Sequence, residues 1–347
     1  MIVWLLMVFS IVMLSLILNS KSEKNKKTFL RLAAIILIFV VGSRNAEINQ
    51  GSDVNNYYRL FQSAILMDWT QFESISTMEK GYLAISFILA KLIPWGQTII
   101  YAQAAFCIIT TLYFIYKNTE NVQLATIFFI CFGPFQFFLT GFRQSIAICI
   151  GLLMFEVAKK KKFEKYIILL LIAISIHQTA IVLIPLYFLV NIKNTSFSNI
   201  AVIVGSVILT AFSRNFVNLG NEFFDRDYRG VFFGSALGGL IQLFIYATTL
   251  LLCLFFSKAK SDDEHKKNSA LIRVLIVGTA VYAMRFEALV LERVSLYFTP
   301  AVMPLLSENV QKMSSSQLFK GIAVVCSVGL FAWRTISQYG GYTFFWQ

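Results

Sequence analysis

Nine side chains in a strongly apolar chain have the chemistry to hold an anion, a sugar or a proton in transit: Asp53, Tyr57, Glu79, Arg143, Gln144, His177, Arg285, Arg293 and Tyr297. Arg143 stands out first. It lies in Thr140-Gly141-Phe142-Arg143-Gln144-Ser145-Ile146-Ala147, between the runs 124–139 and 146–157, neither of which carries a basic residue. An arginine at the centre of a membrane helix costs about 2.5–3.5 kcal/mol on insertion scales. Gly141 offers an inexpensive backbone break, which places Arg143 where two helices meet at one membrane face. The plainer alternative is a helix-end arginine snorkelling to the interface.

The other residues are read the same way. Gly51-Ser52-Asp53-Val54-Asn55-Asn56-Tyr57-Tyr58 sets a carboxylate just ahead of aromatic rings, which suits sugar binding by hydrogen bonds and stacking. Glu79 opens an apolar segment, where an acid is also favoured by the helix dipole alone. His177, one of two histidines, sits in an apolar run as either a working group or a satisfied core residue. Arg285 and Glu292-Arg293 return charge where two apolar segments meet, and Glu292 could simply neutralise Arg293.

The elements that must position these residues are membrane helices. The chain has 347 residues, 57% hydrophobic and 14% charged, against about 25% charged in soluble domains. Mean hydropathy is +0.70, and phenylalanine supplies 34 residues. Apolar runs able to span about 30 Å of hydrocarbon recur along the length, so residues 1–347 read as a single polytopic all-α membrane domain. The first 19 residues lack a basic start and a small-residue cleavage site before Lys21, and read as a retained first span. The five cysteines all lie in apolar runs without metal-ligand spacing, so neither a disulfide framework nor a metal site is expected. A net charge of +12 would admit a nucleic-acid partner, but the lysines cluster between apolar runs, as the positive-inside rule requires.

Along the chain, spans are expected near 2–18, 29–41, 98–116, 124–139, 144–158, 200–212, 237–256, 270–282, 296–306 and 318–332. External loops are expected at about 44–80 and 214–235. Within the first, 57–72 mixes aromatic and polar residues like a helix lying along the interface. Two segments are ambiguous. Residues 81–93 are short and hold Lys91, and parity between the lysine loops assigns them an interfacial or half-inserted place. Residues 166–190 form either one crossing or two short halves meeting near 175–179.

This topology separates the two basic residue types. Nearly all 19 lysines fall in cytoplasmic-looking loops. Of the 11 arginines, Arg44, Arg59, Arg143, Arg214, Arg226, Arg229, Arg285, Arg293 and Arg334 fall on the outer side. Insertion does not discriminate lysine from arginine. The guanidinium is a rigid fork for phosphate or carboxylate, so an outward cluster points to an anionic ligand reached from outside. Arg226 and Arg229 are better read as partners of nearby acids.

In order, Gly51-x-Asp53 with Tyr57, Glu79-x-Gly81-Tyr82, Gly141-x-Arg143-Gln144-x-Ile146-Ala147, His177-Gln178-Thr179-Ala180 and Arg293-x-x-x-Tyr297-Phe298 resemble the EpsG family of Wzy-like polysaccharide polymerases. The resemblance covers about residues 44–304, and the serine familiar after the histidine is Thr179 here. It implies a GT-C-like fold with about 10–12 membrane helices and a metal-independent glycosyltransferase without cofactor. Its substrates would be undecaprenyl-pyrophosphate-linked oligosaccharides, joined at the outer face of a bacterial cytoplasmic membrane during O-antigen, capsule or exopolysaccharide synthesis. Further partners implied are the lipid bilayer and other export or chain-length proteins, with no nucleic acid. On this resemblance Arg143 and Arg293, with Arg285 less directly, would meet the pyrophosphate, with Tyr57, Gln144 and Tyr297 also lining the substrate. Asp53, Glu79 and His177 are the candidates to orient or deprotonate the acceptor hydroxyl. An O-antigen ligase and a lipid-linked glycan transporter are the alternatives, and a transporter predicts charge reaching both faces and repeat symmetry.

Overall fold

A computed structural model describes residues 2–18, 22–47, 52–193, 195–215, 217–218, 236–255, 262–313, 317–338 and 342–347. Lys21, Gly51, Arg226, Arg229, the lysines at 258 and 260 and most of the 214–235 loop lie outside the described residues. The protein is all-α. Among the described residues the β-type pairing is one isolated antiparallel bridge, Arg44 to Phe344.

Helices run in the order α1 Ile2–Ile17, α2 Glu23–Gly42, α3 Ser52–Leu66, α4 Trp69–Ser74, α5 Lys80–Leu92, α6 Thr98–Asn118, α7 Val122–Cys131, α8 Phe135–Phe138, α9 Phe142–Lys159 and α10 Phe163–Ile176. A 3-10 turn at Gln178–Leu183 leads into α11 Leu186–Asn191 and α12 Ser196–Ala211. The remainder is α13 Ala236–Phe255, α14 Asp262–Ala283, α15 Val290–Ser295, α16 Val302–Met313 and α17 Gln317–Gln338. Among the described residues, three stretches are long and apolar enough to cross a membrane by themselves: Thr98–Asn118, Leu237–Phe255 and Lys267–Phe286. Shorter apolar helices include Ile2–Ile17, Val122–Cys131 and Phe197–Ala211. Large apolar side chains stay exposed around the perimeter, Phe9, Phe197, Phe244 and Leu254 among them, as a hydrocarbon surrounding permits.

Two expected elements are broken, each for a local reason. The run 124–139 is not one helix: α7 stops at Phe132-Gly133-Pro134, because Pro134 has no N–H to continue the ladder. The interfacial helix expected at 57–72 is divided at Asp68, whose side chain forms a capping box with Gln71 and starts α4 afresh.

The two ambiguous segments resolve through their contacts. Residues 163–191 form a hairpin of two short limbs. Helix α10 has 14 residues, about 21 Å at 1.5 Å per residue, and its chain returns through the 3-10 turn and α11. Tyr166 stitches the limbs, its hydroxyl donating to the Leu183 carbonyl and accepting from the Tyr187 N–H at 3.2 Å. His177 stands at the apex in extended conformation. Helix α5 has only 13 residues, about 20 Å, and both its flanks meet the same end of the bundle. Glu79 before it reaches the start of α9. After it, Gln97 donates to the Gly42 and Arg44 carbonyls at 2.6 and 2.7 Å, at the end of α2. Lys91 caps α3 by donating to the Ile65 and Met67 carbonyls at 3.0 and 2.8 Å.

The bundle therefore has two chemically distinct ends. At one, lysines pair with acids: Lys26 with Glu120, Lys159 with Glu156 at 3.1 Å, and Lys267 with Glu308 at 3.2 Å. At the other, Arg44, Arg143, Arg285 and Arg293 gather around helix ends and the hairpin apex.

Candidate active site

Arg143 occupies the first turn of α9, a helix start that carries no side-chain cap. The positive end of a helix is a poor place for an isolated cation. A carboxylate offsets it: Arg143 Nη1 forms an ion pair with Glu79 Oε2. Gly141, just ahead, has an ordinary φ of -89°. Its value is room, since a Cβ there would overlap the Phe137 ring.

Glu79 is a hub. Its Oε1 lies 3.1 Å from His177 Nδ1 and accepts the Gln178 backbone N–H at 3.0 Å. Glu79 can reach the hairpin apex because Gly81 follows it. A Cβ on Gly81 would stand 2.7 Å from the Ser175 carbonyl carbon, so only glycine lets α5 come this close to the end of α10. Glu79 precedes α5 and lies outside the crossing segments. Burial pushes its carboxyl up, but the His177 hydrogen bond, the Gln178 N–H and the Arg143 guanidinium outweigh that and bring it down to about 2. Side chains of Arg143, Glu79 and His177 are 20%, 17% and 18% exposed, so the group is sheltered yet reachable.

Tyr57, from α3, completes this side. Its hydroxyl accepts from Arg143 Nε at 3.3 Å, and its ring packs edge-on to Tyr82 at 5.6 Å. Two further links close the ring of elements. Gln144 Nε2 donates to the Arg293 carbonyl at 2.8 Å, and Thr179 Oγ1 lies 3.1 Å from the Tyr297 hydroxyl. Segments separated by well over a hundred residues thus meet around the hairpin apex. Arg293 holds its backbone here and exposes its side chain.

Not every expected residue joins the group. Asp53 is exposed one helical turn before Tyr57, and among the described residues no hydrogen bond ties it to Glu79 or His177. Arg285 is buried, with Nη2 3.1 Å from Glu292 and Nη1 donating to the Tyr282 hydroxyl at 2.9 Å. Glu292 therefore neutralises Arg285, where its sequence neighbour Arg293 was the expected partner. On a short helix, adjacent residues point about 100° apart, which separates Glu292 from Arg293. Tyr82 and Gln178 stand in the sequence motifs, but the ring contact of Tyr82 with Tyr57 and the Gln178 N–H bond to Glu79 were not legible there, since each partner is distant in sequence.

Among the described residues, no group of three or more His, Cys, Asp or Glu gathers as a metal cage. Four cysteines are buried and Cys326 is exposed, all free.

Apolar helices, three of them among the described residues long enough to cross a membrane, and an arginine–carboxylate–histidine group at one end of the bundle define the class as an all-helical membrane protein. A family model described as the EpsG family matches residues 27–347, and the chain belongs to that family. EpsG is a Wzy-like polymerase family, so membership points to polysaccharide polymerisation in general. No curated protein and no solved structure matches the chain.

Proposed function

We propose that this protein joins oligosaccharide repeat units carried on undecaprenyl pyrophosphate into a surface polysaccharide, at the outer face of the bacterial cytoplasmic membrane. The observation that carries the reading is the Arg143–Glu79–His177 group, formed at the arginine end of the bundle by three of the motifs that mark the family. In this reading the 10–12 membrane helices form a GT-C-like arrangement, the arginine end faces outward, and no metal ion takes part.

The geometry supports the following division of roles. A carboxylate held near 2 is too weak a base to take a hydroxyl proton, so Glu79 orients. In the reaction proposed here it accepts the Nδ1–H of His177, which leaves Nε2 as the ring's acceptor. His177 takes the proton from the acceptor sugar hydroxyl as that oxygen bonds to the donor's anomeric carbon. The bond from that carbon to the pyrophosphate oxygen breaks, and undecaprenyl pyrophosphate leaves as the anion. Arg143 and the exposed Arg293 meet the growing negative charge, which accelerates transfer by binding the leaving group more tightly than the substrate. Buried Arg285 acts less directly, by holding Glu292, the residue next to Arg293 in the chain; Tyr57, Gln144 and Tyr297 shape the floor, and exposed Asp53 contacts sugar. Chain-length and export proteins would receive the product.

The test is gel analysis of surface glycan from a strain lacking the protein, complemented with wild type or Arg143→Ala. Single repeat units in the null strain, restored to a long ladder by wild type only, are the expected result. Full-length polymer still on its lipid would make the protein a ligase. Lipid-linked single units trapped on the cytoplasmic face would make it a transporter. Turnover that survives chelation of divalent cations is expected, and its loss would overturn the metal-free step.

A further inference from the structure

Arg44 is a charged residue with 0% exposure, beyond the reach of any substrate. Its surroundings are built with care. The backbone on either side is clamped to the segment 343–345: the Asn45 N–H donates to the Thr343 carbonyl and the Phe345 N–H to the Ser43 carbonyl, both at 2.9 Å. Gln97 closes on the Arg44 carbonyl from a third direction at 2.7 Å. From this frame the guanidinium carbon lies 5.8 Å from the centre of the Phe142 ring. Phe142 lies flat against Tyr57, with ring centres 5.1 Å apart and planes 7° apart. Tyr57 in turn meets Arg143, whose guanidinium carbon is 5.9 Å from the ring centre and whose Nε donates to the hydroxyl. Four side chains thus form an unbroken series, Arg44–Phe142–Tyr57–Arg143.

We propose that Arg44 is a positioning residue for Arg143, and through it for the Glu79–His177 pair, with the 343–345 segment as its brace. The physical reason lies in the freedom of Arg143. Glu79 fixes the tip of a long, flexible side chain, but one ion pair leaves its shaft several rotamers. Tyr57 removes that freedom by holding Nε and offering its ring to the guanidinium, provided Tyr57 itself stays still. A flat contact with Phe142 resists tilting, and a cation over Phe142 favours the ring plane that presents its face. The inference rests on the catalytic reading above for its kinetic readout, and on geometry alone for its spectroscopic one.

The experiment uses the full-length protein in detergent micelles, labelled with nitrogen-15 histidine. With only two histidines, His265 serves as the internal reference. Arg44→Met is expected to shift the ring signals of His177 and leave those of His265 in place, with Arg44→Lys recovering part of the wild-type spectrum. A second arm follows conversion of lipid-linked units in host membranes to polymer, per molecule of protein present. Arg44→Met and Phe142→Leu should each lower kcat by about tenfold with KM little changed, and the double variant should fall no further than either alone, the signature of residues in one series. Phe345→Pro, which removes the N–H donated to Ser43, should lower kcat in the same sense. Unchanged His177 signals in Arg44→Met would overturn the proposal. So would losses that multiply in the double variant, or a fall in protein level with kcat per molecule intact. Were the null strain to make long polymer normally, the polymerase reading would fail while the histidine spectra still decided the role of Arg44.

Discussion

Glu79 and His177 are 98 positions apart in sequence and meet at 3.1 Å between Oε1 and Nδ1. The other oxygen of the same carboxylate holds Arg143. One acid therefore sets both the proton acceptor and the cation of the proposed reaction, which makes the pair separable by substitution.

Replacing His177 with glutamine keeps an amide able to donate to Glu79 and removes the base. Turnover should fall by roughly 10²- to 10⁴-fold, the usual worth of a positioned general base, with protein level and melting temperature near wild type. Polymer formed per unit time from lipid-linked units measures it. Full activity in His177→Gln would return the residue to a packing role.

The ionised Glu79 also contributes to stability, with a definite sign. Its folded value is depressed from 4.5 to about 2. Stability from that shift is present above the unfolded value and is lost as pH falls toward the folded one. Wild-type melting temperature in detergent should therefore drop between about pH 6 and about pH 3, and Glu79→Gln should show a flatter profile over the same range. Identical profiles for the two proteins would remove the ion-paired carboxylate from the account.

Gly81→Ala tests the close approach that brings Glu79 to the hairpin. The added methyl meets Ser175 backbone, which cannot step aside as a flexible side chain would. Overpacking of this kind costs about 1–3 kcal/mol, and the relief available is to move α5 off α10. Both stability and turnover should fall. A variant that melts like wild type and polymerises normally would show that the approach has slack.

Arg285 and Arg293 should respond in opposite ways. Arg285→Met removes a buried guanidinium that binds the half-exposed Glu292 carboxylate and the Tyr282 hydroxyl, so folded protein recovered from membranes should decrease. Arg293→Ala alters an exposed side chain, whose loss changes stability by about 0.5 kcal/mol or less. Its expected effect is on turnover. Thermal melting and polymer synthesis, measured on both variants, separate a structural from a substrate-facing arginine, and equal melting losses would contradict the division.

Sequence carried the helical class, the membrane character and the family motifs, because hydropathy and helix-breaking residues act locally. The separation of lysines from arginines was readable too, and the structure puts Lys26, Lys159 and Lys267 at one end and Arg143, Arg285 and Arg293 at the other. Ambiguity remained wherever length and composition disagreed. Residues 81–93 have the composition of a span without its length, residues 166–190 have the length of one span but not of two, and composition cannot tell a hairpin limb or an end-lying helix from a crossing.

Partner choice was decided by tertiary structure alone. Glu292 takes Arg285 over the adjacent Arg293, Gln144 holds the Arg293 backbone, and Arg44 reaches Arg143 only through two aromatic rings. The physical reason is common to all three. A helix apolar on nearly every side gives no signal of which face meets which neighbour. The polar groups at its ends then find partners set by packing, across distances in sequence that local chemistry does not span.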